Sequence, residues 1–187
     1  MKFKLICKYF LLFMIYSSVP LISQAQYSLL ELCKESDDII VAEITQIKSS
    51  YNNSNGRITT KISLKIDERI KSNYLKNIQE FELVYPGGEY GDIIQIIPGA
   101  PRFKKGEKTI LFLKRNNIAQ KKFLYVFGLS EGKFNIINDG NGNEYILRDS
   151  GNDNLIISTL MKKEIILMNS VERVSKKDFI NLIKSLL

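Results

Sequence analysis

Pro86 to Leu113 reads PGGEYGDIIQIIPGAPRFKKGEKTILFL, and this stretch decides the fold. Its 28 residues hold three of the chain's four prolines and five of its eleven glycines. Glycine admits left-handed backbone and proline locks φ, so the composition is that of turns set between apolar strands. Pro86-Gly87-Gly88 ends a strand begun by Phe81, Leu83 and Tyr85. Pro98-Gly99-Ala100-Pro101 turns the short apolar run Ile93–Ile97. Lys104-Lys105-Gly106-Glu107 makes a charged turn, and Thr109–Leu113 is a buried strand.

Working outward, Ile39–Ile47 begins apolar on both faces and reads as a central strand. Ser49–Gly56 (SSYNNSNG) is a polar loop. Ile58, Thr60, Ile62, Leu64 and Ile66 then alternate with Thr59, Lys61, Ser63, Lys65 and Asp67, a strand with one wet face. Downstream, Phe123–Leu129 and Lys133–Ile137 flank Ser130-Glu131-Gly132 as a hairpin. Asn138–Asn143 (NDGNGN) is a turn before the strand Glu144–Arg148. Helical spacing occurs near the ends: Ser28–Ser36, with Leu29 and Cys33 four apart, and residues 175–187. In the second, Ser175 is the N-cap, Asp178 follows three residues on, and Phe179, Leu182, Ile183 and Leu186 share a face. Leu155–Lys162 reads as a short helix or linker and Glu164–Met168 as a strand. Short strands, regular turns and terminal helices predict a mainly β fold, a small antiparallel barrel with a short N-terminal and a C-terminal helix.

The N-terminus carries an export pattern. Lys2, Lys4 and Lys8 precede the apolar Tyr9–Val19, and Ser23-Gln24-Ala25 is a small-x-small cleavage site. The apolar run falls short of the roughly 20 residues of a membrane span. Residues 1–25 are therefore expected to be a signal peptide, leaving a single exported domain, 26–187, in the periplasm, on the cell surface or in the medium. Losing three lysines and no acid takes the formal charge from +7 to +4. That balance argues for acidic glycans or a surface and against nucleic acid, and the expected partner is a protein or an anionic envelope polymer. Cys7 leaves with the signal, so Cys33 has no intrachain disulfide partner and reads as a packed core thiol.

Three patches together resemble a group of exported bacterial β-domains: Ser36–Ile44 (SDDIIVAEI) with Gly56–Thr60 (GRITT), Pro86–Leu113, and Gly128–Phe134 (GLSEGKF). More distantly, the DIIVAEI strand, the Gly106-Glu107 to Leu113 strand and the cysteine-bearing N-terminal segment look like the OB-type barrel of netrin and tissue-inhibitor-of-metalloproteinases modules. Those modules are disulfide-rich, and the inhibitors chelate a protease zinc through an N-terminal cysteine. Here Cys33 lies seven residues inside the predicted N-terminus, so the resemblance implies the barrel and not that mechanism.

The chain contains no histidine, which removes Ser-His-Asp and Cys-His catalysis and His-ligated zinc. Gly128-Leu129-Ser130-Glu131-Gly132 matches G-x-S-x-G literally, but a strand follows where the nucleophile elbow needs a helix. Asp139, Asn141 and Asn143 resemble the opening of a calcium loop, whereas Glu144 and Ser150 stand where that loop needs Gly and Glu. The reading there is a plain turn, with no metal and no cofactor expected. Arg102, Lys104, Lys105, Lys108, Lys114, Arg115, Lys121 and Lys122 surround one predicted hairpin, either as an anion-binding face or as a lysine-rich edge that resists strand addition. Asp37, Asp38, Glu89 and Asp92 are the carboxylates at strand ends and turns. The expectation is a non-catalytic exported binding module, with Glu89, Asp92, Arg102, Phe103, Lys104 and Lys105 as the rim where a partner docks. A protease-inhibitor-like module and a carboxylate-based hydrolase are the alternatives.

Overall fold

A computed structural model describes residues 27–118, 121–148 and 174–187. The segment read as a signal peptide and the stretch Leu155–Met168 lie outside the described residues. Ser28 caps helix α1 (Leu29–Glu35) with a capping box, its side chain accepting from the Glu31 N–H while the Glu31 carboxylate returns to the Ser28 N–H. Helix α2 (Lys176–Leu186) starts at Ser175, whose hydroxyl accepts the Asp178 N–H at 3.1 Å. Between them run β1 (Asp38–Asn52), β2 (Arg57–Ser72), β3 (Glu80–Pro86), β4 (Gly88–Tyr90), β5 (Ile93–Gln95), β6 (Lys108–Ile118), β7 (Lys121–Val126), β8 (Lys133–Asn138) and β9 (Glu144–Arg148).

Seven strands form one antiparallel sheet, ordered β3-β2-β1-β6-β8-β9 with β7 also on β6, and β4–β5 is a separate two-stranded arm. The predicted alternation in β2 is realised: Ile58, Thr60, Ile62, Leu64 and Ile66 are all buried. β1 is buried on both faces. Ile39 and Val41 face the helices with Ile110, Phe112, Phe134 and the α2 residues Phe179, Ile180 and Ile183. Ile40, Ala42 and Ile44 face a second core with Leu64, Leu83, Leu111 and Val126. Cys33 sits in the first core, fully buried.

Three expectations are corrected. The sheet does not close into a barrel. Register shifts after Ile39, Val41 and Ile44 bend the β1–β2 pair, and bulges of this kind increase twist. The bend brings β3 towards β7 far enough for the Val126 N–H to donate to the Tyr85 hydroxyl at 2.8 Å, but no ladder joins them. Next, β7 and β8 are not a hairpin. Both pair with the same edge of β6, Val126 opposite Leu113 and Lys133 opposite Leu111. A 3-10 turn, Leu129–Gly132, leaves the sheet between them. Gly132 lets the chain return, because a Cβ there would lie 1.9 Å from the Phe127 carbonyl oxygen. Finally, much of the polar loop is strand: Ser49, Ser50 and Tyr51 pair with Thr60, Thr59 and Ile58. A ladder is made by backbone groups, so polar side chains do not prevent it.

Candidate functional site

The proline- and glycine-rich block builds the β4–β5 arm and lays it across the end of the β1–β2 hairpin. The Gly87 N–H donates to the Ile58 carbonyl at 2.8 Å. Thr60 Oγ1 donates to the Gly87 carbonyl at 2.6 Å and lies 2.9 Å from the Ser49 hydroxyl. Gly88 passes so close, at φ +126, that a Cβ would lie 2.1 Å from Thr60 Oγ1. On β5, Gln95 turns inward and its Oε1 accepts the Ile58 N–H at 2.8 Å. Tyr90 stacks on Tyr51 with ring centroids 5.9 Å apart.

Strand alternation then sends the neighbours of Gln95 outward. Ile94 is 65% exposed and Ile96 75%, and the cross-strand pair Tyr90 and Ile93, on the face of Gln95, is about half exposed. An aliphatic run that reads as core in the sequence is therefore the most exposed apolar surface among the described residues. The composition of IIQII held a signal for it: one amide amid four isoleucines, placed where a backbone donor needed a partner.

The predicted rim is divided. Glu89 pairs with Ile94 in the arm and Asp92 sits in its Gly91–Asp92 turn, both exposed. Lys104 and Lys105 are exposed on a different turn, pinned where the Gly106 N–H donates to the Ile44 carbonyl at 2.8 Å. Arg102 is exposed on the segment between them. Phe103 turns inward, its ring 5.8 Å from Tyr85 and under the ammonium of Lys133.

Among the described side chains, the basic residues of β6 do not form one patch. Lys108 lies 3.6 Å from Asp67, and Lys114 2.7 Å from Glu35, whose carboxyl it holds below the usual range by hydrogen bonding. Arg115 covers the Tyr74 ring at 4.2 Å. From Lys108 to Arg115 the strand advances roughly 23 Å at about 3.3 Å per residue, so these charges are spread along β6.

The paired carboxylates are structural. Asp38 is fully buried and accepts from the Ser72 hydroxyl and from the N–H groups of Asn73, Tyr74 and Leu75. Asp37 accepts the Arg115 N–H at 2.8 Å. Neither converges with Glu89 or Asp92. Ser130 belongs to the 3-10 turn, and its N–H donates to Gly99. Asp139, Asn141 and Asn143 do come together, but as a closed turn. Asp139 accepts the Asn141 and Asn143 N–H groups and the Asn143 amide, and the last of these most lowers its pKa. Donors, not oxygens, point at the centre. Among the described residues no group of His, Cys, Asp and Glu has metal-holding geometry. Burial pushes the Cys33 thiol up to about 11, with nearby Lys71 opposing.

An open groove of about 540 Å³ between α2 and residues 142–145 was not foreseen from the sequence. Four of its five charged residues pair with each other, Lys176 with Glu144 at 2.7 Å and Lys184 with Glu68 at 3.4 Å, and Lys177 also lines it. No described helix is long and apolar enough to cross a membrane. The chain matches no protein-family model, no curated protein and no solved structure.

Proposed function

We propose that this protein is a non-catalytic, exported binding module that docks an apolar surface of a protein partner through the β4–β5 arm. One observation carries the reading: on a hairpin anchored by hydrogen bonds at its base, Ile94 and Ile96 stand out on one face while the cross-strand pair Tyr90 and Ile93 is about half exposed on the other. Single exposed apolar residues are ordinary, but several together on one projecting element mark a contact site. The anchoring keeps the arm pre-formed, so little ordering is needed on binding. Glu89 and Asp92 supply a polar rim to that surface. The spread of the cations along β6 favours a protein over an anionic envelope polymer.

The test is affinity capture from the native envelope fraction with three forms of the chain: wild type, Ile94→Asp/Ile96→Asp and Lys104→Ala/Lys105→Ala. A partner held by the wild type and the lysine variant but lost by the isoleucine variant supports the reading. Identical capture by wild type and isoleucine variant removes it.

A further inference from the structure

The charged turn and β8 create a second unusual environment, independent of the arm. Lys133 is a lysine with a side chain only 1% exposed. Lysine is almost never buried to that degree unless paired. It opposes Leu111 on β6, on the side of the sheet that faces the second core. Three groups near its ammonium are Glu107, Asn135 and Phe103. Glu107 Oε1 lies 3.1 Å away. Asn135 Oδ1, two residues along the same strand, accepts from Nζ at 2.5 Å, closer than an ordinary hydrogen bond. The Phe103 ring lies 5.3 Å from Nζ. Although it is close to Nζ, Glu107 Oε1 is buried and accepts no hydrogen bond from the described residues.

A nucleophile, an amide carbonyl and a carboxylate with an unused lone pair therefore meet in a site largely closed to water. We propose that Lys133 and Asn135 become joined by an intramolecular isopeptide bond, with Glu107 moving the proton. The Lys133 ammonium gives one proton to the Glu107 carboxylate. The free amine attacks Asn135 Cγ, forming the Nζ–Cγ bond. Glu107 returns that proton to the departing amide nitrogen, which leaves as ammonia when its bond to Cγ breaks, and the second proton still on Nζ passes through the Glu107 carboxylate to the released ammonia. Lysine ammonium and carboxamide become secondary amide and ammonium ion, and no oxidant or cofactor is involved.

The geometry fits each demand of the step. Residues two apart on a strand share a face about 6.6 Å apart, within a lysine's reach. Orientation of the reacting groups by a rigid scaffold supplies much of the rate in such intramolecular reactions.

The test is peptide mass spectrometry of the full chain, denatured and digested with trypsin. Trypsin cuts after Lys133 only when its amine is free. The expected product is the peptide Phe123–Arg148, uncut at Lys133 and lighter than its sequence mass by one ammonia. Fragmentation should place that loss between Lys133 and Asn135. Glu107→Gln and Asn135→Ala should each restore cutting at Lys133. Wild-type chain cut at Lys133, with Asn135 intact, overturns the proposal whether or not either variant folds. An ammonia loss that maps instead to Asn141-Gly142 overturns it equally.

Discussion

The Asp38 carboxylate accepts the backbone N–H of Leu75 at 3.0 Å, across 37 positions of sequence. The same carboxylate receives Ser72, Asn73 and Tyr74, so one side chain at the start of the central strand organises the whole turn after β2. Leu75 is thereby held 2% exposed in the second core.

Replacing Asp38 by alanine leaves these donors without their acceptor. A fully buried donor stranded in this way costs about 1–3 kcal/mol; only the Leu75 bond is buried and the other three are partly exposed to water, so a total of roughly 3 kcal/mol is expected. Asp38→Asn keeps one acceptor oxygen and should lose less. Urea unfolding followed by circular dichroism reads both midpoints. An Asp38→Ala midpoint equal to wild type would show that water replaces the carboxylate.

Gly132 and Gly140 should respond differently to alanine. At Gly132 the new Cβ meets the Phe127 carbonyl oxygen at 1.9 Å, and backbone must move. At Gly140 nothing lies within 4 Å, and only the φ of +84 is strained. We expect a loss of about 1 kcal/mol for Gly140→Ala and at least twice that for Gly132→Ala, measured by thermal and urea unfolding.

Alkaline pH should destabilise the fold through Cys33. Burial favours its neutral thiol in the folded chain, raising the value from 9.0 to about 11. The stabilisation is complete below pH 9 and is lost as pH rises towards 11, where the unfolded chain ionises first. Over that window the loss approaches roughly 2–3 kcal/mol. Burial raises the Tyr85 hydroxyl above its ordinary 10.0 as well, which acts in the same direction. Unfolding midpoints from pH 8 to 11 should fall less steeply in Cys33→Ala. In the native state at pH 8 the thiol should react with a disulfide reagent far more slowly than in the unfolded chain.

Ile94 and Ile44 separate binding from folding. Ile44 is fully buried, and Ile44→Ala should cost about 2–5 kcal/mol. Ile94 is 65% exposed, and Ile94→Asp should change stability by no more than about 0.5 kcal/mol. A large loss in Ile94→Asp, read by calorimetry, would mean that the arm is part of the core and not a contact surface.

What could be read in advance was local. The spacing of Leu29 and Cys33 announced the first helix and the Ser175 cap the second, because both signals are settled within three or four residues. The five alternating apolar positions of β2 announced its buried face for the same reason. The missing histidines excluded whole chemistries without any structure. The candidate site was only partly legible. The arm lies inside the block that looked odd in composition, but the proposed rim mixed its Glu89 and Asp92 with Phe103, which belongs to the core.

The amino-acid sequence by itself determined the buried face of β2, the cap at Ser175 and the turn chemistry of Pro86–Leu113, each a matter of neighbours along the chain. Only tertiary structure decided which face of Ile93–Ile97 meets water, because that follows from Gln95 finding a donor at Ile58, 37 positions away. It also decided that Asp38 is an organiser of backbone and that Lys133 is buried beside Glu107, 26 positions earlier in the chain. Burial and hydrogen-bond satisfaction are properties of partners, and those partners are assembled by long-range strand pairing that no local pattern records.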